Sequence, residues 1–260
     1  MAMTLDTRQW RSAQRAQLLA RRVAIPAPQR RQWNQAITRW LVEEFPILQW
    51  MVVGSYWPYQ GEFDPRFAIR RLRSCGARVA LPLVVQKNAP LQFREWWPGA
   101  PMVKGVLDLP VPDGTEVLLP QVLLIPPVGF DAQGYRLGYG AGYFDRTLAA
   151  MNPRPLTIGV AFEMSRVPTI QPQPHDIAMD FIVTEAGIHC IDEGGMTLVH
   201  DSWRVVRHAS ALLRTRGAAD RGGNGAVQGL LQTALRGERH PYASPVCYAH
   251  EFETGWQDES

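Results

Sequence analysis

Between Val122 and Leu148 the chain reads VLLIPPVGFDAQGYRLGYGAGYFDRTL. An apolar run meets a Pro-Pro stop, and five glycines (Gly129, Gly134, Gly138, Gly140, Gly142) follow within fourteen residues. Arg136 and Arg146 flank the last three glycines, and Asp145 closes the segment. The pattern predicts a strand, a glycine-rich loop and the first turn of a helix. Glycines let backbone amides approach a ligand closely, and a helix start adds unpaired N–H donors and the positive end of a dipole. Guanidinium groups add forked phosphate recognition. A carboxylate there suits magnesium, which takes hard oxygen ligands and shares them with phosphates. The string Gly138-Tyr139-Gly140-Ala141-Gly142 matches neither the dinucleotide fingerprint nor the P-loop. By itself the segment reads equally as a tight structural turn whose arginines face water.

Composition narrows the classes. Of 260 residues, 46% are hydrophobic, as in an ordinary globular chain, and the net charge of +3 is too weak to argue for nucleic acid. The charge is uneven. Residues 1–50 hold eight arginines against Asp6, Glu43 and Glu44, whereas in 201–260 arginines and acids balance. A basic amino end suits an anionic ligand, or a solvated helix face. Lysine occurs only at 87 and 104, so arginine must serve wherever a cation is needed. Cys75, Cys190 and Cys247 form neither a disulfide framework nor a C-x-x-C metal site, which fits a reducing compartment. No apolar run reaches the length of a membrane span, and no apolar signal core follows the amino terminus. The expectation is a cytoplasmic, monomeric protein with no nucleic-acid or membrane partner.

The elements that must position these groups follow from periodicity. A helix is expected from a cap at Asp6 or Thr7 to about Val23; Arg8, Arg11, Arg15 and Arg22 fall within roughly a 60° arc of it. A second helix spans about Gln29 to Glu44, with Trp33, Ile37, Trp40 and Leu41 at helical spacing. Strands are expected at Gln49–Tyr56, Arg78–Leu81, Leu91–Trp96 (on an antiparallel or edge element), Val122–Ile125, Leu156–Phe162 and Phe181–Thr184. Asp64-Pro65 opens a helix ending near Cys75, with Gly76 as its stop, and Tyr143–Met151 forms another. Pro98 to Gly114 reads as a long connection. The alternation predicts an α/β fold: a layered, mostly parallel sheet flanked by helices in a single main domain over 1–203. Residues 204–260, glycine-rich between Arg216 and Gly229, read as a flexible tail that truncation after Trp203 should remove harmlessly. In such sheets ligands gather at the carboxyl ends of strands, so the glycine loop and Glu62 should face one crevice.

The longer pattern GFD-x-x-G-x-RLG-x-G-x-GY-[YF]-DR resembles the signature of the 5-formyltetrahydrofolate cyclo-ligase family. The likeness covers about residues 8–190. It includes Tyr56-Trp57-Pro58 with Glu62, Leu91-Gln92-Phe93 with Trp96, and Pro174-His175-Asp176 before Phe181–Glu185. The resemblance implies that Arg11, Arg15, Arg136, Gly138, Gly140, Gly142 and Tyr143 bind ATP, with Arg136 and Arg146 as the catalytic cations. It implies that Trp57, Glu62, Trp96 and Tyr143 bind the folate, and that Asp145 and Asp176 hold magnesium. Arg11 stands where the family has lysine, and Gln14 where it has leucine. Ala141 stands where glycine or lysine is usual, and Phe144 replaces a second tyrosine. Each position also has a plain structural reading: solvated arginines, core tryptophans, an Asx turn at Asp176.

The activity implied is ATP-dependent conversion of 5-formyltetrahydrofolate to 5,10-methenyltetrahydrofolate with release of ADP and phosphate. The alternatives are a kinase or ligase acting on another small molecule, and a non-catalytic folate or nucleotide binder. A nucleic-acid accessory role would show itself by steeply salt-dependent binding.

Overall fold

The computed structural model describes residues 3–217. In chain order these form α1 (Met3–Val23), α2 (Ala27–Glu43), β1 (Val52–Gly54), α3 (Arg66–Ser74), β2 (Arg78–Leu83), β3 (Gln92–Glu95), β4 (Met102–Lys104), β5 (Pro110–Pro112) and β6 (Val117–Leu118). Then come β7 (Val122–Ile125), β8 (Gly129–Phe130), β9 (Arg136–Leu137), α4 (Tyr143–Ala150), β10 (Leu156–Val160), β11 (Phe181–Thr184), β12 (Gly187–Asp192), β13 (Gly195–Val199) and α5 (Ser202–Thr215).

One nine-stranded sheet runs β13-β12-β11-β10-β7-β1-β2-β3-β6. Its centre, from β11 to β2, is parallel, and an antiparallel pair extends it on each side. Strand β7 shows how the sheet is sealed. Successive side chains point to opposite faces, so Val122 and Leu124 join one core with α2, α3 and α5, while Leu123 and Ile125 join the other with Leu148 of α4. All four residues are buried, which is why the strand reads as a continuous apolar run.

Three expectations about the elements change. The expected strand Gln49–Tyr56 shortens to Val52–Gly54: Gln49 and Trp50 end a 3-10 turn over 46–50, whose Pro46 lacks an N–H donor and whose Ile47 and Leu48 tuck into the core with Phe45. Between Pro98 and Gly114 the chain forms the small β4–β5 hairpin, whose tip residues Leu107 and Asp108 have positive φ (60° and 57°). The boundary placed at residue 203 falls inside α5, which is part of the domain. Asp201 caps α5 by accepting the Arg204 N–H (2.8 Å), and Val205, Val206, Ala209 and Leu213 are buried on the main core. The rest of the expected tail, 218–260, lies outside the described residues. Among the described residues, no helix is long and apolar enough to cross a membrane.

The chain leaves β1 toward β2 on one side and later returns to place β7 on the other. The carboxyl ends of β1 and β7 therefore border a topological switch point, the place where open α/β sheets bind ligands. Helix α1 lies over that end: Leu18 packs with Val128, Leu137 and Ile170 around the β8–β9 hairpin, which directs the arginine stripe of α1 toward the crevice.

Candidate active site

A cavity of about 580 Å³ opens at this switch point. Strand ends supply Tyr56, Trp57, Leu81, Pro82, Ile125 and Pro126; the glycine loop and α4 supply Gly138 to Asp145; α1 supplies Arg11 and Arg15. The β4–β5 hairpin closes one side with Val106, Leu107 and Leu109, an apolar wall with no counterpart in the sequence-based expectation. Eleven of the thirteen residues singled out from the sequence line this space or the loop around it: Arg11, Arg15, Trp57, Glu62, Arg136, Gly138, Gly140, Gly142, Tyr143, Asp145 and Asp176. Arg146 sits just outside, bound to the loop.

Trp96 is the exception. It is 5% exposed and packs in the core, edge-on to Trp57 at 6.4 Å between ring centroids. It does not line the cavity. Trp96 directly follows β3, which runs antiparallel to β2, and its ring meets Trp57 edge-on instead of facing the cavity. Trp57 lines the cavity and carries the Arg66 guanidinium 5.6 Å from its ring centroid.

At one end of the cavity the glycine loop prepares an anion site. Gly142 is the N-cap of α4 in the left-handed region (φ 65°), and Gly140 has φ 98°. A side chain at either would be strained, and the turn they permit leaves the first amides of α4 facing the cavity. Arg15 donates through Nε to the Gly138 carbonyl (2.8 Å) and makes no further hydrogen bond to a described residue. Burial, and secondarily the nearby Arg11, lowers its pKa from the usual arginine range. Arg146 donates to the Ala141 carbonyl and lies over the Tyr143 ring, 5.2 Å from its centroid. Phe144 turns its ring onto the cluster of Leu123, Ile125 and Leu148, so packing accounts for it without a hydroxyl.

Each of the two aspartates is held by an arginine. Asp145 pairs with Arg136: Arg136 Nη2 donates to Asp145 Oδ1 (2.6 Å), and Nη1 donates to the Ile177 carbonyl (2.6 Å). The Ile177 N–H completes the contacts of the same Oδ1 (3.2 Å). Arg136 is buried, with its two Nη atoms engaged by the Ile177 carbonyl and Asp145, and it lines the cavity. Arg11 likewise donates to Asp176 Oδ2 and to the Ile170 and Gln171 carbonyls (3.1 and 2.9 Å). Burial pushes the Asp176 pKa up, but the hydrogen bonds from Arg11 and the Gln173 N–H outweigh it and hold the carboxyl below the usual range.

These contacts leave Asp145 Oδ2 with no donor among the described residues, and Asp176 Oδ1 with only His175 at 3.8 Å. Among the described residues no cluster of three or more His, Cys, Asp or Glu side chains forms a ready-made cation cage. Two cavity-lining carboxylates, each with an oxygen to spare, nevertheless suit magnesium, which binds through one or two carboxylates plus phosphates and water.

At the other end sits Glu62, 6% exposed. Its Oε2 accepts the Tyr59 N–H (2.9 Å) and its Oε1 accepts the Tyr139 hydroxyl (2.8 Å). Arg22 approaches to 3.7 Å and is itself fixed on the Gln60 and Pro127 carbonyls (3.0 and 3.3 Å). Burial raises the Glu62 pKa to about 7 against the pull of Arg22, Tyr139 and Tyr59. Each carboxylate oxygen keeps a lone pair for one more donor. Arg22 and Tyr139 were not assigned roles from the sequence. The signal for Arg22 was its place on the arginine arc of α1; for Tyr139 it was the aromatic between two loop glycines.

Residues 7–185 match the model of the 5-formyltetrahydrofolate cyclo-ligase family. The 5-formyltetrahydrofolate cyclo-ligase of Escherichia coli (strain K12) is 30% identical over 175 residues, 65% of this chain and 96% of the relative. That of Mycolicibacterium smegmatis is 30% identical over 182 residues, 67% and 93%. The NMR structure of Aquifex aeolicus 5,10-methenyltetrahydrofolate synthetase superposes with a TM-score of 0.63 at 25% identity, covering 73% of this chain and 96% of that one. The Mycoplasma pneumoniae synthetase shares the fold, with a TM-score of 0.57 at 24% identity. With the match spanning more than half its length and the signature loop built into its cavity, the chain belongs to the 5-formyltetrahydrofolate cyclo-ligase family.

Proposed function

We propose that the chain converts 5-formyltetrahydrofolate and ATP to 5,10-methenyltetrahydrofolate, ADP and phosphate. The observation that carries this is the joining, in one cavity, of a glycine loop suited to an anion with a buried carboxylate, Glu62, and a half-buried tryptophan, Trp57. A formamide oxygen is a poor leaving group. If that oxygen attacks the γ-phosphorus and ADP departs, the formyl carbon carries a phosphate ester. N10 then attacks the carbon, gives up its proton, and phosphate leaves with the former formyl oxygen, creating the conjugated methenyl bridge. Chemistry of this kind asks mainly for alignment and for stabilisation of developing charge.

The chain's residues suit those tasks. Gly138, Gly140, Gly142, Tyr143 and Arg15 face the triphosphate, and Arg146 is the cation nearest the transferring group. Arg136 and Arg11 act through the aspartates they hold. Asp145 and Asp176 would hold a magnesium ion, which would supply positive charge against that of the phosphates. Glu62 accepts paired N–H donors of the pterin's amino-pyrimidine edge, Trp57 meets its flat face, and Trp96 backs Trp57. The protein is read as a cytoplasmic monomer acting on small molecules alone.

Purified protein with ATP, magnesium and 5-formyltetrahydrofolate should develop the methenyl absorbance together with one ADP per product. A protein that binds both compounds without forming ADP would instead be a binder, and one that hydrolyses ATP while ignoring the folate would be a different kinase or ligase.

A further inference from the structure

Tyr139 stands between Gly138 and Gly140 in the phosphate-facing loop, yet its side chain reaches the other end of the cavity. The residue is 40% exposed, but its hydroxyl joins two charged groups that are almost completely buried, Glu62 at 6% and Arg22 at 3%. It donates to Glu62 Oε1 (2.8 Å) and accepts from Arg22 Nη2. Its ring packs against Tyr59 at 5.8 Å, and the Arg22 guanidinium sits 5.8 Å from its centroid. A tyrosine serving only to pack would bury its ring and leave the hydroxyl outward; this one does the reverse.

The mechanics of its surroundings are unequal. Arg22 is pinned to two backbone carbonyls, and Glu62 to the Tyr59 amide. On the loop side, Gly138 is held by one hydrogen bond from Arg15 and Ala141 by one from Arg146, both through long side chains, and residues 139–141 are exposed. The freedom in this bridge therefore lies in the loop, the part that a triphosphate would draw inward.

We propose that Tyr139 is a positioning residue that couples the two substrates. Ordering of the glycine loop around ATP fixes the hydroxyl on Glu62, and fixing Glu62 for the pterin edge in turn orders the loop. This rests on the function proposed above and names how the two halves of that site communicate. Such a linkage is reciprocal: ATP must tighten the folate by the same factor by which the folate tightens ATP.

The test uses the full chain, magnesium, 5-formyltetrahydrofolate and an ATP analogue with an imido bridge between the β- and γ-phosphorus. Calorimetry measures the affinity of each compound with and without the other, in wild type and Tyr139→Phe, which keeps the ring contacts. In the wild type each should tighten the other by about fivefold or more, equally in both directions. In Tyr139→Phe the factor should drop below about twofold, while each compound alone binds within about threefold of wild type. A Tyr139→Phe protein with the wild-type coupling factor overturns the proposal, as does a wild type with no coupling. A variant that loses the folate outright also overturns it, making Tyr139 a plain pocket contact. If the wild type binds neither compound, the proposed function falls with it; binding of both with coupling undiminished by Tyr139→Phe removes this inference alone.

Discussion

Two carboxylate–arginine clusters in this domain are built from the same residue types and do opposite work. Asp180 is closed. Its Oδ2 accepts from the Thr157 amide and hydroxyl (2.8 Å each) and from Arg216 (2.9 Å), while Oδ1 accepts from Arg216 and Arg154. It ties the end of α5 to β10 and β11 with no oxygen left over. Asp145 and Asp176 are held just as firmly, by Arg136 and Arg11, but on one oxygen each. The second oxygen of each belongs to residues that line the cavity. What separates a clip from a site is thus spare hydrogen-bonding capacity facing open space. Arginine density does not distinguish them.

The largest effect expected from this contrast falls on the closed cluster. Truncation after Trp203 removes Arg216 and the buried apolar side chains Val205, Val206, Ala209 and Leu213 of α5. Each buried valine or leucine contributes roughly 1.5–3 kcal/mol, against about 5–15 kcal/mol for an entire domain. The truncated chain should yield no folded protein by circular dichroism, contrary to the harmless removal expected from sequence. A soluble, cooperative, active product would show that α5 is an accessory.

On the open cluster the loss should be catalytic. Asp145→Asn keeps the shape beside Arg136 while removing the charge, and turnover should fall on the order of 10²–10³-fold with the far-UV spectrum unchanged. Equal turnover in wild type and variant would contradict the metal role. Asp180→Ala should do the converse. It strands Arg216 and lowers stability by about 3–5 kcal/mol, read as a drop in the denaturant midpoint, while the folded fraction keeps its kcat.

Glu62 sharpens the contrast through pH. Its pKa is raised to about 7 by burial, from an ordinary 4.5. The folded protein then binds more protons than the unfolded chain between those values, so this group lowers stability as pH climbs from 4.5 to 7. Folate binding runs the other way: the carboxylate accepts donors above pH 7, and affinity should fall toward about tenfold per pH unit well below it. Glu62→Gln should bind weakly with little slope. A wild-type affinity flat from pH 5 to 8 would place the recognition elsewhere.

How much of this was legible depends on where the determining contacts lie. Strands β7 and β11 match the expected Val122–Ile125 and Phe181–Thr184 because buried parallel strands read as unbroken apolar runs. The signals for α5, an Asp201 cap and apolar residues at helical spacing, are masked in the sequence by the glycine-rich stretch that follows Arg216 and by the end of the family likeness before it. The β4–β5 wall was hidden by Pro101, Pro110 and Pro112, which suggest a connection until a partner strand appears. At the site, the glycine loop, Glu62 and both aspartates came from the motif. Their pairing did not: Arg136 with Asp145, Arg22 with Tyr139, and Trp96 against Trp57 depend on contacts that no spacing rule supplies.

The central claim is that the cavity brings ATP and a pterin together so that the formyl oxygen itself receives the phosphoryl group. Substrate labelled with ¹⁸O in the formyl group tests it directly. After one round of turnover, mass spectrometry of the released phosphate should find the label there in full, with one ADP formed per methenyl product. Label released into water, with unlabelled phosphate, would contradict the account.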